Sequence, residues 1–335
     1  MAFERRLALS VPYDIPLPEH AALAREMEVL GYRDAWSLEV DGLDCFSPLA
    51  VVAQETNLRV GTAIANVFTR GPATLAQSAA AVAEMAPGRF VLGIGAGSAP
   101  IVEGWNSGRF ARPATRVREM VAFLRAAFAG ERVVMQGKTL QVNGYRMTRP
   151  PSQPIPIYVA ALREGMLRLA GEVADGVILH WLSAEDVRKS VAVVREAAER
   201  AGRDPGSIAV TARLMVGIDP PGPDADTSLR RYIASYLNVP TYRDFHRWLG
   251  RTNLQGMWDA WDAGDRRGAL AALSDEAVNE VMVAGSPEAR REHVERFFDA
   301  GVDTAFLAFT SVEKDPSKLK ELVWTALRDH APSAG

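Results

Sequence analysis

The sequence predicts an α/β protein, a (β/α)8 TIM barrel with a helical insertion after the seventh strand. Eight short apolar runs alternate with stretches whose apolar residues recur at helical spacing. No repeat of short period is present, and the alternation lapses only between Pro220 and Met282 before it resumes. The length of 335 residues suits one barrel carrying an insertion, so residues 1–335 are expected to form a single domain with 220–282 as a segment within it. A doubly wound open sheet is the rival that pattern alone leaves open.

Leu7 to Val11 is the first strand, followed by a turn rich in proline (Pro12, Pro16, Pro18). A helix over about Glu19 to Leu30 carries Leu23, Met27 and Leu30 on one face, with Gly31 as its stop. Tyr32 to Leu38 is the second strand, Glu39-Val40-Asp41-Gly42 its loop, and Pro48 to Gln54 a short helix. Arg59 to Ile64 and Arg89 to Ile94, the third and fourth strands, flank an alanine-rich helix. IVEGWNSGRFARP then follows Pro100 with no element assigned, and a helix runs from about Ala114 to Ala129. Val133 to Met147 reads as a hairpin with Gly137 and Gly144 as turn signals.

Pro154 opens the fifth strand, IPIYVAA, and a helix continues through Gly165 to Gly171. Asp175 to His180 is the sixth strand, Ala184 to Ala201 its helix, and Ile208 to Ile218 the seventh strand. The insertion starts at the turn PPGPD and includes helical pieces at Leu229 to Leu237 and Thr241 to Leu249. Ser286-Pro287-Glu288 starts a helix that ends at Phe297-Phe298, Thr304 to Phe309 is the eighth strand, and Lys314 to Leu327 the closing helix.

Composition narrows the function. A formal charge of −3 and a pI near 6.0 give no broad basic field, so no nucleic-acid partner is expected. No apolar run approaches membrane-spanning length, and MAFERRLALSVPYD lacks the length and cleavage site of a signal peptide. A cytoplasmic protein without membrane partners is therefore expected. The single cysteine, Cys45, excludes an internal disulfide and any multi-cysteine metal site. With no H-E-x-x-H spacing either, no metal is expected.

In a parallel barrel the C-terminal strand ends carry the chemistry. The third and fourth strands end there in Ala65-Asn66 and Gly95-Ala96-Gly97-Ser98. Gly93, Gly95 and Gly97 do not meet the dinucleotide spacing G-x-G-x-x-G; they read either as a tight turn or as a close approach for a ligand. His180, at the end of the sixth strand, is a candidate for hydrogen bonding or acid–base work. Glu39, ending the second, reads equally as a residue that moves a proton or anchors a ring nitrogen and as a helix-cap or salt-bridge carboxylate. Trp105, Trp181 and Trp248 suit an aromatic pocket or a core, and His246 is placed to line the site from the insertion. His20, His293 and His330 lie in charged helical contexts and are expected to be solvated. No G-x-S-x-G motif is present and Ser98 has no nearby histidine in sequence, so acyl-transfer hydrolysis has no support.

The stretches VGTAIANVFTRGPATLAQSAAAVAEMAPGRFVLGIGAGS, AALREGMLRLAGEVADGVILHW and EMEVLGYRDAWSLEVDG together span most of the barrel. They resemble the bacterial luciferase-like flavin and deazaflavin oxidoreductases, and most closely the coenzyme F420-dependent branch that includes methylenetetrahydromethanopterin reductase. The resemblance implies a TIM barrel with an insertion after the seventh strand, a small-molecule substrate and a homodimer. It implies a non-prolyl cis peptide at Ala63-Ile64 backing the cofactor ring, with Asn66 as a ring contact. It also implies that Gly95, Ala96, Gly97 and Ser98, with Ala160, Ala161, Leu162, Arg163, Glu164 and Gly165, hold the cofactor tail, the latter group through helix N-terminal amides.

The chain departs from its relatives in three places. Where F420 relatives commonly carry Asp-His after the second strand, it has Glu39-Val40; where many have an acid after the glycine turn, it has Ser98. Leu162-Arg163-Glu164 replaces a common Ser-Gly-Pro, so Arg163 is a candidate for the phosphate charge and His180 for the missing histidine. The expected activity is F420-dependent hydride transfer between C5 of the deazaflavin and an organic substrate. One alternative is an FMN-dependent luciferase-like monooxygenase using reduced flavin and oxygen; a second is a non-catalytic flavin-binding or subunit-partner protein.

Overall fold

A computed structural model describes residues 3–12 and 14–332. Eight parallel strands form its centre: β1 Arg6–Ser10, β2 Asp34–Ser37, β3 Arg59–Thr62, β4 Phe90–Gly95, β5 Ile157–Ala160, β6 Gly176–His180, β7 Ala209–Gly217 and β8 Thr304–Thr310. Neighbours in sequence are neighbours in the sheet, β1 also pairs with β8, and Val60 beside Phe90 joins β3 to β4. The sheet is thus a closed barrel, and the open-sheet rival is excluded. All six residues of β4 are buried, because a parallel barrel strand is covered on both faces.

Helices return the chain outside the barrel. They are α1 His20–Val29, α2 Ser47–Glu55, α3 Pro72–Met85, α4 Pro113–Phe128, α5 Glu164–Val173 and α6 Ala184–Arg200. In α6 the reason for the start is explicit. Ser183 accepts the Asp186 N–H while the Asp186 carboxylate accepts the Ser183 N–H, a reciprocal cap, and Val187, Val191, Val194 and Ala198 form the buried stripe. Full burial of side chains such as Leu92 and Ile94 in the shell between strands and helices stabilises the fold by about 1.5–3 kcal/mol each.

The chain between β7 and β8 folds into α7 Pro223–Leu237, α8 Pro240–Leu249, α9 Gln255–Asp262, α10 Arg266–Ala271 and α11 Asp275–Val281. These build a second core from Ile233, Leu237, Leu254, Met257, Trp258 and Val278. That core is seated on Trp181, Met215 and Ala308, at the C-terminal ends of β6, β7 and β8. The insertion therefore walls one side of the barrel mouth. Val283 then rejoins the sheet beside Val216, before α12 Pro287–Asp299 and, after β8, α13 Pro316–Asp329.

Three local expectations are corrected. The segment after Ser98, read without an element, contains a π-helical turn at Pro100–Trp105. The hairpin strands are Val133–Gln136 and Gln141–Tyr145, so Gly137 marks the turn but Gly144 does not. Gly144 lies inside the second strand at φ +81, where the register slips at Val133/Val134: a bulge uses the same left-handed backbone that a turn would. A 3-10 turn, Leu17–Glu19, precedes α1. Among the described residues no helix is long and apolar enough to cross a membrane.

Candidate active site at the barrel mouth

The barrel interior is layered. At its N-terminal end the fully buried Asp34 accepts Arg6 Nε at 2.8 Å and Arg59 Nε at 3.0 Å, and Arg59 also donates to Thr304 Oγ1 at 2.9 Å. Above this plug Ala8, Trp36, Val91, Tyr158, Ile178, Ala209 and Phe306 pack together, with Trp36 stacked on Phe306 at 5.3 Å between ring centroids. Ala63, Ile64 and Ala160 lie against that layer, only partly buried. These small side chains lie over an aromatic floor at the C-terminal strand ends, where a barrel places its ligands.

On one side of the mouth the Ala63–Ile64 peptide is cis, and the chain continues as Ala65–Asn66 paired with Ile94 and Gly95. Asn66 Oδ1 accepts the Phe68 N–H at 2.8 Å. Two glycines permit this close packing. A Cβ on Gly93 would lie 1.9 Å from the Thr62 carbonyl oxygen, and one on Gly97, at φ +64, 2.3 Å from Asn66 Nδ2. The Gly95-to-Ser98 turn lies beside Asn66, with Ala96 and Ser98 half-buried, and the Ser98 carbonyl accepts the Val102 N–H at 3.0 Å.

Ala160 ends β5, Ala161 donates to the Ile178 carbonyl, and Leu162 and Arg163 lead into α5. No side chain caps this helix, and nothing lies within 4 Å of the Cβ position of Gly165. Arg163 pairs with Asp244 of α8 at 2.9 Å, and Glu164 with Arg168. Glu39 is engaged by Arg70, whose Nε lies 3.1 and 2.9 Å from its two carboxylate oxygens, while the same guanidinium covers the Phe46 ring. This is the salt-bridge geometry that the sequence left open for Glu39.

On the other side His180 ends β6, in register with Arg213 of β7. Its Nε2 is sealed from solvent with no hydrogen-bond partner, as are Arg213 Nε and Trp181 Nε1. Burial, with Arg213's charge beside it, pushes His180 well below the ordinary histidine range, so the ring is neutral. Trp181, at φ +56, packs on His180 at 5.3 Å, on Tyr236 at 5.0 Å and on Tyr232 at 5.7 Å; Tyr242 meets Tyr236 edge-on at 5.9 Å.

The tryptophans and histidines singled out from the sequence divide accordingly. Of the three tryptophans only Trp181 adjoins His180; Trp105 is 58% exposed, and Trp248 packs on Phe245 and Lys189. His20, His293 and His330 are buried, not solvated. His20 is held by the Ile15 carbonyl at 2.9 Å, His293 stacks on Phe297, and His330 donates to the Ala326 carbonyl at 2.7 Å. His246 is fully buried against Phe245, and its burial holds it down to about 3. Arg213, Tyr236 and Tyr242 were missed by sequence reasoning. Arg213 carried a signal, a cation at an inward register position inside the apolar run IAVTARLMVGI.

A closed barrel with one bulged wall at its C-terminal strand ends and, among the described residues, unpaired polar atoms opposite it has the architecture in which barrel enzymes place their sites. The sequence model described as luciferase-like monooxygenase matches residues 2–304, and the chain belongs to that family. It is 27% identical over 319 residues to the 5,10-methylenetetrahydromethanopterin reductase of Methanolobus tindarius, covering 93% of this chain and 96% of that one. The coenzyme F420-dependent tetrahydromethanopterin reductase of Methanopyrus kandleri superposes with a TM-score of 0.79 at 23% identity, over 98% of this chain and 100% of that one. An F420-dependent secondary alcohol dehydrogenase in complex with an F420-acetone adduct superposes with a TM-score of 0.74 at 19% identity, over 98% of this chain and 99% of that one.

Proposed function

We propose that this chain is an F420-dependent oxidoreductase that moves a hydride between C5 of the deazaflavin and a small organic substrate. The observation that carries the reading is the glycine-lined wall where Ala65 and Asn66 pair with Ile94 and Gly95, set directly across the barrel from a strand bearing unpaired polar atoms. The kinship with a putative coenzyme F420-dependent oxidoreductase of Mycobacterium tuberculosis, 24% identical over 328 residues, supports it.

The residues present fit such a group. The cradle between Asn66 and Gly97 has no room for a Cβ, Ala63, Gly95 and Ala160 keep the wall low, and His180 Nε2 is an orphaned polar atom on the facing side. Ala63, Ile64 and Asn66 would back the ring. Gly95 to Ser98 and Ala160 to Gly165 would hold the tail, the uncapped start of α5 offering its backbone N–H groups to the phosphate. Arg163 would exchange Asp244 for that phosphate. Bound F420 supplies the two-electron chemistry, and the protein supplies orientation and a dry pocket.

His180 is assigned the proton. A neutral imidazole, its Nε2 sealed without a partner, accepts a proton from a substrate hydroxyl at Nδ1 as the substrate is oxidised, and returns it from that atom in the reverse direction. Glu39, held by Arg70, is assigned to positioning, because it ties the loop after β2 to the turn after the bulge. The working unit is read as a homodimer, which sedimentation would check.

Titrating dialysed protein with F420 and with FMN, followed by fluorescence, tests the cofactor. F420 is expected to bind more tightly; tight FMN and weak F420 binding would turn the reading to the FMN-dependent monooxygenase. His180→Ala is expected to keep F420 affinity and lose roughly 10²–10⁴-fold in turnover, and full turnover in that variant would remove His180 from the mechanism. F420 binding with no turnover on any substrate of a broad panel would favour the non-catalytic alternative.

A further inference from the structure

Among the described residues four arginines bury Nε without a hydrogen bond: Arg213, Arg243, Arg251 and Arg290. Three of them still have carboxylate partners. Arg243 pairs with Asp262 at 2.7 Å, Arg251 with Asp186 and Glu280, and Arg290 with Asp329 at 3.6 Å. Arg213 has no ion pair, no ring beneath its guanidinium and no hydrogen bond among the described residues. A half-buried cation without a counter-charge is costly to maintain, and it is tolerated where a ligand supplies the anion.

Its position points to the substrate and not to the fold. β7 stands four strands from β3 in either direction around the eight-stranded barrel, so Arg213 faces the bulged wall from the opposite side. Strand alternation puts it on the same face as Ala209, which packs in the barrel interior, and the register puts it beside His180. Its charge reaches both His180 and Tyr242. Tyr236 and Tyr242, half-buried, continue the aromatic wall that starts at Trp181. This side of the mouth therefore combines one unpaired guanidinium, one neutral imidazole and a row of rings.

We propose that Arg213 recognises the carboxylate of a small planar organic acid, whose body rests against Tyr236 and Tyr242. The proposal rests on reading the mouth as an F420 hydride-transfer site, and it names the class of substrate that site takes. The guanidinium fork matches the two oxygens of a carboxylate, and a single positive charge balances a single negative one. A phosphate dianion would need a second cation, and the reading of the site already gives Arg163 to the cofactor phosphate.

The test uses the F420-loaded protein and matched acid and amide probes: benzoate against benzamide, 4-hydroxybenzoate against its amide, and acetate against acetamide, with inorganic phosphate as competitor. Binding is read from the F420 fluorescence and by calorimetry. At least one acid is expected to bind about tenfold or more tightly than its amide. Arg213→Met should erase that preference, Arg213→Lys should keep part of it, and F420 affinity should move less than about twofold in both. The proposal is overturned by equal binding of every acid and its amide to the unaltered protein. Displacement of the acid by phosphate at equal concentration overturns it as well. So does a loss of F420 affinity in Arg213→Met that matches its loss of acid binding, since that would give Arg213 to the cofactor. Failure of the unaltered protein to bind F420 would remove the reading of the site instead; the acid–amide comparison on the same protein, by calorimetry, then decides Arg213 separately.

Discussion

The two ends of the barrel interior treat charge in opposite ways. At the N-terminal end Asp34 is shared by Arg6 and Arg59, and Thr304 takes up a further guanidinium donor. At the C-terminal end Arg213 and His180 stand side by side, each with a buried nitrogen that nothing among the described residues satisfies. The same eight strands support both arrangements. The difference separates a satisfied charge network that closes one end of the barrel from unsatisfied groups at the other, which under the proposed reading take a partner from solution.

Breaking the closed end should have the largest effect. Asp34→Ala leaves two arginines facing each other without their shared anion, and about 3–5 kcal/mol of stability should be lost, read as a lower urea midpoint. A normal midpoint for that variant would erase the contrast between the ends.

Acid should act next. His246 is held down to about 3, and His293 and His330 to about 4, each mainly by burial. Each takes up its proton in the unfolded chain near pH 6.5 and in the folded one only far below. Stability should therefore hold above pH 6.5 and fall as pH drops toward 4, by at most about 1.4 kcal/mol per pH unit for each histidine. Urea titrations at pH 7, 6 and 5 check the slope, and His330→Gln should flatten it.

A smaller loss is expected from Gly97→Ala, about 1–2 kcal/mol for the left-handed backbone, with F420 binding weakened by roughly tenfold as Asn66 is displaced. F420 titration of a folded variant measures it. The smallest effect belongs to the open end. Arg213→Met removes a cation that bonds to nothing, so stability should stay within about 1 kcal/mol of the parent or rise. A loss as large as that of Asp34→Ala would mean that Arg213 is structural after all.

Much of the scaffold was legible. Arg89 to Ile94 and Ile208 to Ile218 were read within a residue or so of β4 and β7, because a strand buried on both faces is a run of apolar residues between breakers. The cis position was reached through the resemblance, Asn66 and the glycine turn already from the strand ends, and the structure shows that bond and brings all of them to one wall. The histidines were misread because a charged helical context says nothing about which side of the helix meets the barrel. His293 lies among Arg290, Arg291, Glu292 and Glu295 in sequence, yet its ring stacks on Phe297 inside. Gly144 was misread because a bulge and a turn ask the same φ of a glycine.

The order of strands and helices, the point of insertion and the residue types at each strand end were set by the sequence alone, since periodicity and chain breakers act locally. Which carboxylate is consumed by an arginine and which arginine is left without one depends on distances between residues far apart in the chain. Glu39 finds Arg70 across 31 positions, and Arg213 finds no carboxylate among the described residues. Pairing of charges is a three-dimensional property, and only the closed barrel with its insertion in place could decide it.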